Sequence, residues 1–174
     1  MIEKGASPVF GSDCMVHPTA LVVGDVEAGS DCSFWPKSVV RGDMDSITIG
    51  DRVNVQDNAT IHVDEGYPTH IGDDTTIGHN AVVHGCEVGR ECIIGIGAII
   101  LSGSRIGEGS IIGAGAVVTP GTEIPPNSLV LGIPAKVKRT DPDLRKEALA
   151  NSRIYVETST MYLKRSYGHV PDPY

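Results

Sequence analysis

The feature that most constrains this chain is a step of six. An aliphatic residue recurs at Val16, Val22, Ala28, Phe34 and Val40, then at Ile49, Val55 and Ile61, then at Ile71, Ile77 and Val83. It continues through Val88, Ile94, Ile100, Ile106, Ile112, Val118, Ile124 and Val130, and all but Ala28 and Phe34 are Val or Ile. Gly often follows, as in Ile49-Gly50 and Ile112-Gly113, and the fifth place is usually small, as at Cys32, Ala59, Ala81, Ala98 and Ala116. A helix has an apolar period of 3.6, and a sandwich or barrel alternates with irregular turn spacing, so neither fits. The spacing predicts a triangular coil. Each hexapeptide supplies a short strand and a turn, three close one coil of 18 residues, and coils stack by parallel hydrogen bonds at about 4.8 Å. The aliphatic residue points inward and the small one fits near the corner. Aromatics at 5% and 21 glycines agree with a thin core that needs few rings.

The remaining composition excludes partners. The chain has 174 residues, which predicts one domain with a terminal appendage. Its formal charge is −8, from 22 acidic and 14 basic residues, whereas a nucleic acid or an anionic membrane would want the opposite sign. No apolar run approaches the roughly 20 residues that span a bilayer, and Met1 to Pro8 lacks the apolar stretch of a secretory signal. The four cysteines form no C-x-x-C pair, so a reduced, cytoplasmic protein is expected. Cys14 and Cys32 fall in the fifth place of successive coils. They should stack about 4.8 Å apart, within disulfide reach, and are expected to stay reduced.

The repeat occupies residues 1–139, and residues 140–174 read as a helix and tail packing on it. Thr140-Asp141-Pro142-Asp143 is a helix start with a Thr or Asp cap and Pro in the first turn. Leu144, Ala148, Asn151, Tyr155, Thr158 and Tyr162 are spaced by three and four. These predict a helix over 142–165, weakened near Asn151-Ser152 and Thr158-Ser159-Thr160, with a frayed tail ending at Tyr174.

The period breaks three times. Residues 46–48 insert three, residues 67–70 insert four, and the repeat beginning at Val83 is one short. Such departures from a consistent pattern are where functional sites are expected, and these flank histidines. His62 and His84 each hold the second place of their repeat, 22 residues apart, which is one coil plus the insertion of four. Arg41 precedes His62 by one coil plus the insertion of three, so Arg41, His62 and His84 form a column. His79 holds a third place, in a column with Asp57 on the neighbouring face. In a trimer, His62 and His84 of one subunit could meet His79 of the next. Three imidazoles with one open position are a catalytic zinc arrangement. A lone histidine on such a surface is simply solvated, and His17, His70 and His169 are read that way.

The strings Val40-Arg41-Gly42-Asp43, Gly50-Asp51-Arg52-Val53-Asn54-Val55-Gln56-Asp57, His62, Ile77-Gly78-His79 and Val83-His84-Gly85-Cys86 resemble the gamma-class carbonic anhydrases of the hexapeptide-transferase superfamily. The resemblance covers roughly residues 8–140. It implies an all-β, left-handed parallel β-helix with a C-terminal α-helix; the general rule for parallel crossovers would favour the right hand. It implies a homotrimer with one metal per interface, ligated by His62 and His84 of one subunit and His79 of its neighbour. Zinc is the default, and iron or cobalt also suit imidazole. The implied reaction is reversible hydration of carbon dioxide to bicarbonate, by a hydroxide formed when the metal lowers the pKa of its water to about 7. Gln56 matches the residue that orients this hydroxide, Arg41 and Asp43 an interface pair, Asp57 a carboxylate near the ligands, and Tyr155 a tyrosine near the site. Arg41, Asp43 and Asp57 can equally be read as a structural ion network between subunits.

Two departures bear on activity. Met44 stands where the founding branch has Glu, and residues 63–70 replace a long acidic loop that bears a proton-shuttle Glu. Glu65 or Tyr162 could serve instead, and turnover is expected to be low. Two other functions fit the repeat: acyl transfer from a coenzyme A thioester with His79 as general base, or a catalytically weak structural trimer. Leu131-Gly132-Ile133-Pro134-Ala135-Lys136 is shared across the superfamily and does not discriminate.

Overall fold

The computed structural model describes residues 6–164, and they form a parallel β-helix of about seven turns with one C-terminal helix. Three faces follow from the strand register. On the first, Leu21, Val39, Thr60, Val82, Ile99 and Val117 are successive parallel partners. On the second, Glu27, Thr48, His70, Glu87, Arg105 and Glu123 are. On the third, Met15, Ser33, Asn54, Thr76, Ile93, Ile111 and Leu129 are. Most corners turn on a left-handed residue, and after Val88 one stands at every sixth position: Glu91, Gly97, Gly103, Gly109, Gly115, Gly121 and Asn127 all have φ between 56° and 74°.

Every aliphatic step from Ala28 to Val130 is at most 6% exposed. Val16 departs from the expectation: it is 42% exposed, because its strand, Met15–Val16, is paired on one side only among the described residues. Small fifth-place residues from Cys32 to Ala116 are buried, Cys14 and Ala20 in the first coil are half-buried, and corner carbonyls satisfy the polar ones. Ser38 Oγ donates to Trp35 O at 2.8 Å, and Cys14 and Cys32 Sγ donate to Gly29 O and Gly50 O at 3.0 Å each. All four cysteines are free thiols, and burial pushes Cys32, Cys86 and Cys92 up to about 12.

The insertions lie elsewhere than the spacing suggested. Gly24 pairs with Gly42 and Val26 with Ile47, so residues 43–46 bulge opposite the single residue Asp25. The extra residues are therefore in 43–46 rather than 46–48. Likewise His62 continues the first face and Thr69 already opens the second, which confines the larger insertion to residues 63–68. Both insertions thus fall at one corner, between the first face and the second. The uninterrupted strand Val39–Ile49 runs through it and pairs on both sides.

Beyond the repeat, Lys136–Thr140 pairs antiparallel with Ser128–Leu131, a strand that the six-residue period gave no sign of. The helix runs Leu144–Leu163. Pro142 stays outside it: Asp141 Oδ1 accepts the Asp143 N–H at 3.0 Å, and Asp143 caps without a side-chain bond. The helix is continuous where weakening was expected, and its buried residues are Leu144, Ala148, Ser152 and Ser159 rather than Asn151 and Thr158. Ser152 tolerates burial because its hydroxyl lies 3.1 Å from both Arg52 O and Asp74 Oδ1. The helix descends the third face coil by coil: Arg145 pairs with Glu91, Ser152 reaches the Arg52–Asp74 pair, Tyr155 stacks edge-on against Trp35, and Tyr162 meets Trp35 and His17. His17 is therefore packed rather than merely solvated. The tail to Tyr174 and His169 lie outside the described residues.

Candidate metal centre

Two corners of the coil carry the histidines, and the chain arrives at each differently. At the insertion corner, His62 and His84 end the strands Thr60–His62 and Val82–His84 as direct register partners, with Arg41 next in the column. Their rings meet edge-on, and His62 Nδ1 faces His84 Nε2 at 3.1 Å. Each outer nitrogen has a partner of its own. His62 Nε2 lies 2.9 Å from Asp43 Oδ1, and Arg41 pairs with the other oxygen of that carboxylate. The hydrogen bond from His62, helped by Arg41, holds the Asp43 carboxyl below its usual range. His84 Nδ1 lies 3.1 Å from Ser102 Oγ, which donates to Asp64 Oδ2 at 3.1 Å. The two inserted segments are tied to each other, since Gly66 N–H donates to Asp45 Oδ2 at 3.0 Å.

At the corner between the third face and the first, His79 precedes the left-handed Asn80, which turns its side chain outward. Asp57 precedes the left-handed Asn58 in the same way one coil below, and its Oδ2 lies 3.0 Å from His79 Nδ1. Gln56 is 4% exposed and fixed here: Oε1 accepts the His79 N–H at 3.2 Å, and Nε2 donates to Asn54 Oδ1 at 3.0 Å. Tyr155 belongs to this side. Burial raises its phenol, and the Asp57 charge raises it further. Of the other groups read from the sequence, Glu65 and Met44 are exposed on the insertions, His70 is exposed on the second face, and Tyr162 sits against Trp35 and His17.

A full strand separates the two corners. From Ala81 to His84 the chain advances three residues in extended conformation, on the order of 10 Å. Among the described residues, no three His, Cys, Asp or Glu of one chain converge as a ligand set. The donors nonetheless suit a zinc-type ion. Two ligands 2.0–2.1 Å from a tetrahedral ion lie about 3.3–3.4 Å apart, close to the separation of His62 Nδ1 and His84 Nε2. A carboxylate or hydroxyl on each outer nitrogen is the usual way a metal-binding imidazole is oriented. Between the corners, the outward side of the first face presents Leu21, Val39, Thr60, Val82, Ile99 and Val117 in one row, with Leu21 51% exposed. This row is apolar apart from Thr60.

The sequence reading missed Asp64, Asp45 and Ser102. Ser102 was within reach of counting only as a neighbour of the column: the repeat begun at Val83 is one short, so Val83 pairs with Ile100 and His84 lines up with Leu101, one place before Ser102. Asp45 and Asp64 were not, because nothing in a period predicts how two insertions fold onto each other.

Comparison with known proteins finds carbonic anhydrases among the sequences and hexapeptide transferases among the structures. The family described as Bacterial transferase hexapeptide (six repeats) matches residues 68–95 and 86–120. A protein of Methanocaldococcus jannaschii named probable carbonic anhydrase is 47% identical over 142 residues, 80% of this chain and 89% of that one. A Geobacillus kaustophilus protein named carbonic anhydrase is 42% identical over 161 residues, 91% of this chain and 88% of that one. Among solved structures, a hexapeptide transferase family protein from Anaplasma phagocytophilum superposes with a TM-score of 0.76 at 31% identity, covering 88% of this chain and 96% of that one. A Bacillus cereus protein named putative acetyltransferase superposes with a TM-score of 0.68 at 36% identity, covering 90% of this chain and 96% of that one.

Proposed function

The chain belongs to the gamma-carbonic-anhydrase-like hexapeptide-repeat proteins, and from that premise we propose that it is a metal-dependent carbonic anhydrase whose centre is completed between subunits of a homotrimer. The observation that carries this reading is the His62–His84 pair, two imidazole nitrogens face to face at 3.1 Å with their outer nitrogens held. His62 and His84 of one subunit and His79 of the next would hold the ion. When bound, a zinc-type ion supplies the Lewis acidity that activates water toward carbon dioxide.

The protein's own groups do the rest. Asp43 and Arg41 hold His62, Asp57 holds His79 through Nδ1 and so would leave Nε2 for the ion, and Gln56 fixes the His79 backbone. The apolar row on the first face would lie against the neighbouring subunits, with His62 and His84 at one edge and the His79 corner at the other. A rigid coil cannot fold one edge onto the other, so a second copy must bring them together.

Acyl transfer from a coenzyme A thioester stays as the second reading, favoured by the His79–Asp57 pair, which has the form of a general base and its orienting carboxylate. Metal content and the rate of carbon dioxide hydration separate the two readings. Complementation tests the shared centre. His79→Ala and His62→Ala subunits are unfolded, mixed and refolded, and mixed trimers should regain metal and activity that neither parent has. Mixed trimers that form yet recover no metal beyond their parents would put all three ligands in one chain.

A further inference from the structure

Each of the three histidines is backed by a carboxylate, but not in the same way. Asp43 and Asp57 approach His62 and His79 directly, at 2.9 and 3.0 Å. Asp64 stops 3.6 Å from His84 Nδ1, too far for a hydrogen bond, and Ser102 Oγ fills the gap at 3.1 Å from each. A hydroxyl can accept and donate at once. Because Asp64 Oδ2 accepts the Ser102 proton, the lone pairs of Oγ are left for a donor, and that donor is His84 Nδ1–H. The ring is thereby held with Nε2 bare and aimed at His62.

The 63–68 insertion is built to deliver that carboxylate. Asp64-Glu65-Gly66-Tyr67 forms a tight turn in which Tyr67 N–H donates to Asp64 O at 2.9 Å and Gly66 takes φ +79°. Tyr67 lies across two stacked glycines. A Cβ on Gly85 would stand 3.0 Å from Tyr67 Cβ and 3.0 Å from Ser102 Oγ, and a Cβ on Gly103 would stand 3.3 Å from the Tyr67 ring. The shortened repeat after Val83 thus leaves a bare patch of backbone on which the loop rests, with Asp64 over Ser102.

We propose that Ser102 is a positioning residue that transmits the Asp64 carboxylate to His84, and that the 63–68 loop, seated by Tyr67 on Gly85 and Gly103, is the element that holds this relay in place. The inference rests on the metal-centre reading for its purpose but not for its geometry, so two measurements are made on the intact protein. The first uses zinc alone, titrated against a chromophoric chelator. Ser102→Ala and Asp64→Asn should each weaken binding about 10–100-fold, the usual effect of removing such a partner, and Ser102→Thr should restore most of it. The second reads His84 ring nitrogen shifts by NMR in metal-free protein, above the pH where the ring is charged. Wild type should show one tautomer, protonated on Nδ1, and Ser102→Ala should move it toward Nε2–H. Asp64 is half exposed, so its variant folds even if the serine variant does not. Zinc affinity within twofold of wild type in both variants, or an unchanged tautomer, overturns the relay. A wild type that binds no zinc overturns the centre instead, and the tautomer measurement still decides the relay.

Discussion

The coils after Val88 and the coils between residues 39 and 88 follow one rule and depart from it, respectively. After Val88 every step is six, every corner has its left-handed residue, and the side chains that matter point inward. Between 39 and 88 the step breaks at one corner, and outward side chains there acquire partners: Asp43 on His62, Asp45 on the 63–68 loop, Asp64 on Ser102. A regular solenoid spaces its outward groups along straight columns and leaves them to solvent. Extra residues at a corner bend backbone over those columns, and that is how Asp43 and Asp64 come to the His62–His84 pair. The regular coils therefore bury the core, and the irregular ones position the side chains of the proposed centre.

Substitutions should separate these two properties. The largest effect is expected from His84→Ala, which should remove essentially all bound metal, measured by elemental analysis, while the thermal midpoint of the metal-free protein stays within a few degrees of wild type. His62→Ala and His79→Ala should do the same, and full metal retention in any two of the three would dissolve the contrast. Next is Ile112→Ala in the regular coils. Ile112 is fully buried, so the cavity should destabilise the fold by about 2–5 kcal/mol in denaturant titration, with metal per folded chain unchanged.

A smaller effect concerns the helix strap. Asp74 accepts two bonds from Arg52 and lies beside the Ser152 hydroxyl, and Arg52 above all, then Ser152, lowers its carboxyl from the ordinary 3.8. A lowered carboxyl contributes stability above its unfolded value and loses it as pH falls through the folded one. The strap should accordingly loosen only below about pH 4. Asp74→Asn should cost about 1–2 kcal/mol at neutral pH and flatten the acid limb of the stability profile. An unchanged acid limb would show that the Arg52–Asp74 pair does not hold the helix.

How much of this was legible beforehand varies with what sets each feature. The core positions and the Arg41–His62–His84 column are matters of counting, because parallel register carries a residue one coil onward unchanged. Counting fails at ends and corners. Val16 has the right spacing, but its strand is paired on one side only among the described residues. The three extra residues could be placed between Val40 and Ile49, but not at 43–46, since the bulge is decided by Gly24 pairing with Gly42. In the helix, apolarity pointed to the wrong side of Asn151 and Thr158. The buried serines are set by what the third face offers them, an Arg52 carbonyl and an Asp74 carboxylate, and no helical period encodes that.

The descending helix changes how the stack can come apart. In a pile of coils each layer holds only its neighbours, so an end coil would be the first to unzip. Here the helix returns to grip layers far earlier in the chain: Ser152 reaches back 100 positions to Arg52, and Tyr162 touches His17. Fraying from the N-terminal end must first undo a contact held by the C-terminal end. The zipper becomes a loop closed on itself.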